Sequence, residues 1–211
     1  MARPKLHDES LRQRLLEAAT DLVAEKGDTF ALRPLAESLD TSTTAIYSLF
    51  GSRDALLEAV AEQAVSSFSD ALEAVRDDDP LTWILGLGMG YRRWALESPA
   101  RFHIVSDGRL DSEAVLCARA RSLEPLAAAV RLAMDAGYVS GEIDDICTTW
   151  YAGVHGFIML EISGALPGGD VQFSRLADAL FLGHATEKGI ARLEEQSFDD
   201  LRQRLSLPEQ V

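Results

Sequence analysis

Four hydroxyl side chains, Ser42, Thr43, Thr44 and Ser48, fall close together, with Tyr47 among them and Arg33 and Arg53 on either side. A hydroxyl both donates and accepts, and a threonine adds a methyl group. Presented on one short helix, such side chains can contact the edges of bases, the methyl of thymine and phosphate oxygens. Taken without a helix around it, Ser42-Thr43-Thr44 serves equally well as a capping turn. Catalytic chemistry finds less to work with. The chain has no H-E-x-x-H, no G-x-x-x-x-G-K and no paired Glu-x-x-His, and His184 with Glu187 gives a single His-x-x-Glu. Neither catalytic residues nor a metal or cofactor site is expected, and the chain does not read as an enzyme. Cys117 and Cys147 stand alone, far from the spacings of a zinc site or disulfide scaffold, and read as core thiols with redox sensing as the alternative.

The elements that must hold the hydroxyl cluster follow from apolar rhythm. Leu11, Leu15, Ala18, Ala19, Leu22 and Val23 keep the i, i+3, i+4 spacing of an amphipathic helix that Gly27 stops. A short helix follows over 32–39, where Pro34 is tolerated because first-turn amides lack intrahelical partners. Its apolar residues are Leu32, Leu35, Ala36 and Leu39. Asp40-Thr41 makes the break, Asp40 being able to take a left-handed backbone, and Ser42 caps a third helix over 43–49. Gly51 ends that helix, and Ser52 caps a long fourth one running to about residue 76, before Asp77-Asp78-Asp79-Pro80. Helical rhythm then continues over 81–97, 99–107, 112–136, 143–164, 171–184 and about 186–205, separated by Gly and Pro turn signals, with nothing that reads as a strand. The fold expected is all-α. A three-helix helix-turn-helix domain over 1–51 precedes a helical regulatory domain over 52–211, and the helix over 52–76 connects the two.

The chain of 211 residues carries a net charge of −14, which by itself argues against a polyanionic partner. The distribution matters more than the total. Residues 1–55 hold seven Lys and Arg against nine Asp and Glu, leaving thirteen against twenty-five for the remainder. An acidic body would repel DNA and favour docking through the N-terminal end, although it suits an ordinary solubilising surface too. No apolar run approaches the length of a membrane span, and no apolar segment follows the charged N-terminus. The expectation is a cytoplasmic chain without a membrane partner.

The segment LAESLDTSTTAIYSLFGSRDALL, residues 35–57, resembles the signature stretch of the TetR (tetracycline-repressor) family without a gap. Leu35-Ala36 matches the family's helix-two pair, Tyr47 and Phe50 its aromatic pair, and Ser52-Arg53 with Leu56-Leu57 the start of its fourth helix. The resemblance implies a dimeric transcriptional regulator, a repressor that a small-molecule effector releases from a palindromic double-stranded operator, and assigns phosphate contacts to Tyr47 and Arg53. A helical interaction protein that kept the fold with weak or lost DNA binding is the alternative. Departures are the turn residue Asp40, where glycine is customary, Thr43-Thr44 in place of a frequently basic or glycine pair, and Leu49 where histidine is frequent. The reading helix has no positive charge, which shifts the electrostatic burden to Arg3, Lys5, Arg12, Arg33, Arg53 and helix N-termini. Arg3 and Lys5 read as a solvated tail or as a minor-groove arm.

The C-terminal part resembles the family less specifically. YRRWALESPARF (91–102) is similar to a passage of many members, and WYAGVHGFIMLE (150–161) resembles a branch named for its Trp, His and Gly, here Trp150, His155 and Gly156. Candidate pocket residues are Trp94, Phe102, His103, Trp150, Tyr151, His155 and Met159, although plain core packing needs aromatic residues just as much. Gly156 is expected to permit close helix packing. Leu176, Ala177, Leu180 and Phe181 are the candidate dimer contacts, because the helices over 143–164 and 171–184 are apolar around much of their circumference.

Overall fold

The computed structural model describes residues 4–106, 116, 121 and 123–195. Apart from a short 3₁₀ turn and one isolated bridge between Val139 and Ala185, the regular structure among the described residues is α-helical. The helices are α1 (Pro4–Lys26), α2 (Leu32–Ser38), α3 (Thr43–Phe50), α4 (Arg53–Glu73), α5 (Pro80–Glu97), α6 (Pro99–Ser106), α7 (Glu124–Asp135), α8 (Ile143–Ile162), α9 (Asp170–Leu182) and α10 (Glu187–Glu194). None of them is long and apolar enough to cross a membrane. Cys117 and Arg3 lie outside the described residues, as do the parts of the expected 112–136 and 186–205 helices that flank α7 and α10.

Two compact units are present, taken over their described residues: Met1–Ser67 with Ser98–Arg119, and Phe68–Glu97 with Ala120–Val211. In the first, α1 packs against α2, α3 and α6. Leu15, Ala19 and Val23 of α1, Leu35 of α2, Ile46 of α3 and Phe102 of α6 have no exposed surface and make its core. Helix α1 begins at Pro4, earlier than its apolar rhythm, because a proline is tolerated in a first helical turn and polar residues extend the helix without needing a core.

In the second unit α5 packs against α7 and α8, and α8 against α7 and α9. Every residue of α5 from Leu81 to Arg92 is buried, and apart from Thr82, Tyr91 and Arg92 the stretch carries apolar residues or glycine around its whole circumference. The break before it is a capping structure. Asp79 accepts from the Thr82 N–H at 2.9 Å and the Thr82 hydroxyl at 2.7 Å, and pairs with Arg192 of α10 at 3.2 Å. Helix α4 stops at Glu73, short of residue 76, where the Val75 N–H bonds back to Leu72 and the Val75 carbonyl accepts from the Trp83 indole at 2.8 Å. The glycine of α8 that allows close approach is Gly153, not Gly156. A Cβ at Gly153 would stand 2.7 Å from Leu180, whereas one at Gly156 would meet nothing within 4 Å among the described residues. Within the same pair of helices Ala177 and Phe181 are 2% and 0% exposed, so both belong to the chain's own core and have almost no surface to give a partner. Leu176 and Leu180 are half-buried.

Candidate nucleic-acid interface and ligand cavity

The turn between α2 and α3 is built by backbone hydrogen bonds. The Leu39 and Thr41 N–H groups both donate to the Ala36 carbonyl, at 3.2 and 3.0 Å, and Asp40 takes a left-handed φ of 52°. An aspartate accepts this conformation more readily than most residues, which explains how the turn closes without glycine. The Ser42 side chain then accepts from the Ala45 N–H at 3.2 Å and starts α3. At the far end Gly51, with φ 82°, donates its N–H to Tyr47 at 2.8 Å, and the Ser52 hydroxyl oxygen accepts from Ala55 at 3.0 Å to start α4.

Ile46 anchors α3 with no exposed surface, so the helix has one inward and one outward side. Thr44, Tyr47 and Ser48, spaced i, i+3, i+4, share the outward side, and Tyr47 is 50% exposed. Thr43 falls on the Ile46 side and is half-buried, less open than Ser42, Thr44 and Ser48. The reason is geometric: residue 43 lies three positions before 46 and shares its face.

The cations near this surface have partners. Arg33 donates from Nε to Glu37 Oε1 at 2.8 Å in an i,i+4 pair, both side chains well exposed. Arg53 is half-buried, with its Nη2 3.3 Å from the Phe30 carbonyl and its guanidinium carbon 5.3 Å from the centre of the Phe30 ring. Arg12 stands over the Phe50 ring at 5.2 Å. Sequence spacing could suggest the Arg33–Glu37 pair but not the Phe30 and Phe50 contacts, which depend on how separate segments meet.

The second unit contains a cavity of about 40 Å³ lined from four helices or their ends. Its wall includes Phe68 of α4, Tyr91 of α5, Leu126 of α7, and Trp150, Tyr151 and Val154 of α8. Tyr91 brings a polar group to this wall. Its hydroxyl is 2.7 Å from His155 Nδ1, and the His155 ring stacks on Tyr151 with centroids 5.4 Å apart. Of the residues singled out from the sequence, Trp150 and Tyr151 line the cavity, and His155 reaches it through Tyr91. Trp94 backs the wall, its ring centroid 4.8 Å from that of Phe68. Met159 is half-buried and does not line it. Phe102 and His103 belong to the other compact unit, where their rings pair edge to face at 5.9 Å. Sequence reasoning passed over Tyr91, although Ile84, Leu87, Gly88 and Tyr91 have the i, i+3, i+4, i+7 spacing of one lining face.

The residue that follows Tyr91 is fully committed elsewhere. Arg92 donates from Nη2 and Nε to the two oxygens of Glu161, at 2.6 and 2.7 Å, and from Nη1 to Asp170 at 2.8 Å. Glu161 also accepts from the Gly169 N–H at 2.8 Å. Burial pushes the Glu161 carboxyl up, but the hydrogen bonds from Arg92 and Gly169 and the Arg92 charge outweigh it and hold the carboxyl below the ordinary range. A Cβ at Gly168, whose φ is 66°, would overlap that carboxylate, so the α8–α9 connection needs glycine on two counts. Cys147 of α8 is half-buried, and burial followed by the nearby Asp144 pushes its thiol up, away from the thiolate form that redox sensing uses.

Two family models match this chain. The one described as bacterial regulatory proteins, tetR family, covers residues 15–60, and the one described as tetracyclin repressor-like, C-terminal domain, covers residues 84–181. An HTH-type transcriptional regulator of Mycobacterium tuberculosis is 26% identical over 102 residues, which are 46% of this chain and 44% of that regulator. The matched stretch thus spans less than half the length of that curated relative. Among solved structures, a protein of unknown function from Rhodococcus sp. RHA1 has TM-score 0.71 and 27% identity over 83% of this chain and 96% of its own. A TetR family transcription regulator from Marinobacter aquaeolei VT8 has TM-score 0.69 and 17% identity over 87% of this chain and 100% of its own, a likeness of fold. With the N-terminal match lying across α2, the turn and α3, and the C-terminal match reaching from α5 to α9, the chain belongs to the TetR family of transcription regulators, a non-enzymatic family.

Proposed function

We propose that the chain is a homodimeric, cytoplasmic DNA-binding repressor released from a palindromic operator by a small, mostly apolar ligand. Residues 1–51 read DNA, residues 52–211 bind ligand and dimerise, and the helix over 52–76 connects them. The observation that carries the DNA reading is the outward side of α3, where Thr44, Tyr47 and Ser48 stand together on a helix entered through a tight turn. Such a helix enters the major groove with its first turn at base edges. Thr44 then contacts bases, Ser42 and Ser48 reach bases or phosphates, and Tyr47 and Arg53 touch phosphates with Arg33. Thr43, half-buried beside them, completes the set of hydroxyls assigned to DNA.

Ligand acts by preferring a form of the dimer whose reading heads are too widely spaced for the operator. The cavity of the second unit and its aromatic wall support that reading. The spacing of Trp150, His155 and Gly156 supports placing the C-terminal half in the branch named for those residues, with Trp150 in the cavity wall and His155 bonded to Tyr91. The partner commitments of Arg33 and Arg53 favour a second reading, an interaction protein of the same fold that binds DNA weakly.

A salt titration separates the two. Binding to a duplex from the region upstream of its own gene, followed by fluorescence anisotropy against a random duplex, should weaken steeply as salt rises, and the operator should hold at least about a thousandfold preference. Equal binding to both duplexes, or none at low salt, assigns the interaction role instead.

A further inference from the structure

The cavity carries a more specific reading, which rests on the ligand-released regulator proposed above. We propose that its occupant is an uncharged aromatic compound bearing a hydroxyl or carbonyl group, read by the Tyr91–His155 pair.

Three observations select this chemistry. First, among the described residues the lining consists of Phe, Tyr, Trp, Leu, Ile, Val and Gly, with no formally charged side chain. The cation next to Tyr91 in the chain, Arg92, already holds two carboxylates at 2.6 and 2.8 Å. An ionised acid entering the cavity would leave water without meeting a counter-charge, whereas a neutral molecule incurs no such cost. Second, four of the lining side chains are aromatic: Phe68, Tyr91, Trp150 and Tyr151. The Tyr91 and Tyr151 rings lie within 7° of parallel with centroids 6.4 Å apart, so they present similarly oriented faces to a flat guest. A saturated chain gains burial from such a wall but none of the ring geometry. Third, the wall includes the phenol of Tyr91, 2.7 Å from His155 Nδ1. A neutral imidazole exists in two tautomers. With Nδ1 as acceptor the phenol donates to it, and the phenol oxygen accepts from a ligand hydroxyl. With Nδ1 as donor the phenol proton is released to a ligand carbonyl. The pair therefore suits one oxygen function of either kind.

The size of the cavity adds a consequence for regulation. At about 40 Å³ it is much smaller than the roughly 150 Å³ void known to admit benzene. An aromatic guest must widen it, displacing the half-buried Leu123 and Leu126 side chains at the start of α7. The ligand consequently favours a wider form of this unit over the closed one, which is the differential affinity that a population shift requires.

The test uses the full chain and calorimetric titration with 4-methylphenol, indole, toluene, cyclohexanol, benzoate and decanoate. The expected result is that 4-methylphenol binds at least about tenfold more tightly than cyclohexanol, benzoate or decanoate, and more tightly than toluene or indole, which carry no oxygen. Tyr91→Phe should lower affinity for 4-methylphenol several-fold and leave toluene unchanged. Leu126→Ala, which enlarges the cavity, should strengthen binding of 4-methylphenol and toluene. Tighter binding of benzoate, decanoate or cyclohexanol overturns the proposal, and so does failure of the neutral aromatics to bind both the wild type and Leu126→Ala. Operator release, measured separately by anisotropy, isolates the underlying reading: aromatic binding without release rejects ligand control and retains the cavity assignment, whereas release by an anion with no aromatic binding does the reverse.

Discussion

Thr44 and Arg53 stand on consecutive helices but answer to different physics. Thr44 is exposed in the first turn of α3, where a side chain approaches base edges, and its hydroxyl and methyl can distinguish one base pair from another. Thr44→Ala should leave the log–log salt slope nearly unchanged and narrow the gap between operator and random DNA by about 1 kcal/mol. Arg53 opens α4, and the contacts of its guanidinium with the Phe30 carbonyl and ring tie the start of that helix to the segment before α2. A phosphate contact would have to share that cation with Phe30. Arg53→Ala should therefore do two things. It should weaken operator and random DNA alike, reducing the salt slope by roughly 0.9 for each phosphate no longer neutralised. It should also lower stability in urea by about 1 kcal/mol, because the hydrogen bond and the cation–π interaction with Phe30 both disappear. A stability loss with an unchanged slope would restrict Arg53 to positioning the Phe30 segment. The sequence pointed to the outward hydroxyls because helical spacing is readable from a list of residues. It could not rank them: Thr43 is less open than Thr44, which depends on where the Ile46 side of the helix is buried.

At the scale of elements, the connection between α8 and α9 is held by one buried cation. Arg92 side-chain exposure is 7%, and Glu161 and Asp170 are at 10% and 20%. Replacing Arg92 by Met would strand two mostly buried carboxylates, and breaking such a network by removing one partner costs about 3–5 kcal/mol. The cost should depend on pH with a definite sign. Because the fold lowers the Glu161 value, its contribution is complete above the unfolded carboxylate range and is lost as pH falls through the folded value. In Arg92→Met the same carboxyl has lost the cation that lowered it and protonates at higher pH. Urea denaturation at pH 7 should show the full gap between wild type and Arg92→Met, and the gap should shrink toward acid. A constant gap down to about pH 3, below the ordinary carboxylate range, would mean that the loss is one of packing against Phe173, over which Arg92 lies at 5.4 Å. Most helices were legible because apolar rhythm, caps and breakers are local. Asp40, Ser42, Gly51 and Ser52 perform the turns and caps their types suggest. The Arg92 network was not legible, since Glu161 and Asp170 lie 69 and 78 residues away and nothing along the chain marks them as neighbours.

For the whole molecule, the proposed dimer must be formed by surface that a single chain leaves open. Helix α8 exposes Thr148, Thr149, Ala152 and Leu160, and a Cβ at Gly156 would meet no atom of the described residues within 4 Å. Helix α9 exposes Val171 at 61% and Leu182 at 48%, with Arg175 and Ala179 between them at helical spacing. Small residues on one helix and apolar ones on the other permit close approach of two copies, and a stable interface of this kind buries about 1,600 Å² in total. Ala177 and Phe181 take no part, being inside the chain's own core. This distinction is testable. Ala152→Glu combined with Leu182→Glu should give a monomer in sedimentation equilibrium with helical circular dichroism close to that of the wild type, because both positions are exposed. Phe181→Ala should instead unfold at lower urea, by about 3–5 kcal/mol, without a specific effect on association of the folded chain. The double variant also probes the reading of DNA. Two reading helices spaced about 34–36 Å apart engage both halves of a palindrome, and the second engagement is intramolecular. Its loss should reduce operator affinity by about 10²–10⁴-fold while a single half-site is bound as weakly as before. A double variant that remains dimeric would move the interface off α8 and α9. One that becomes monomeric yet keeps full operator affinity would remove the need for a paired reading head altogether.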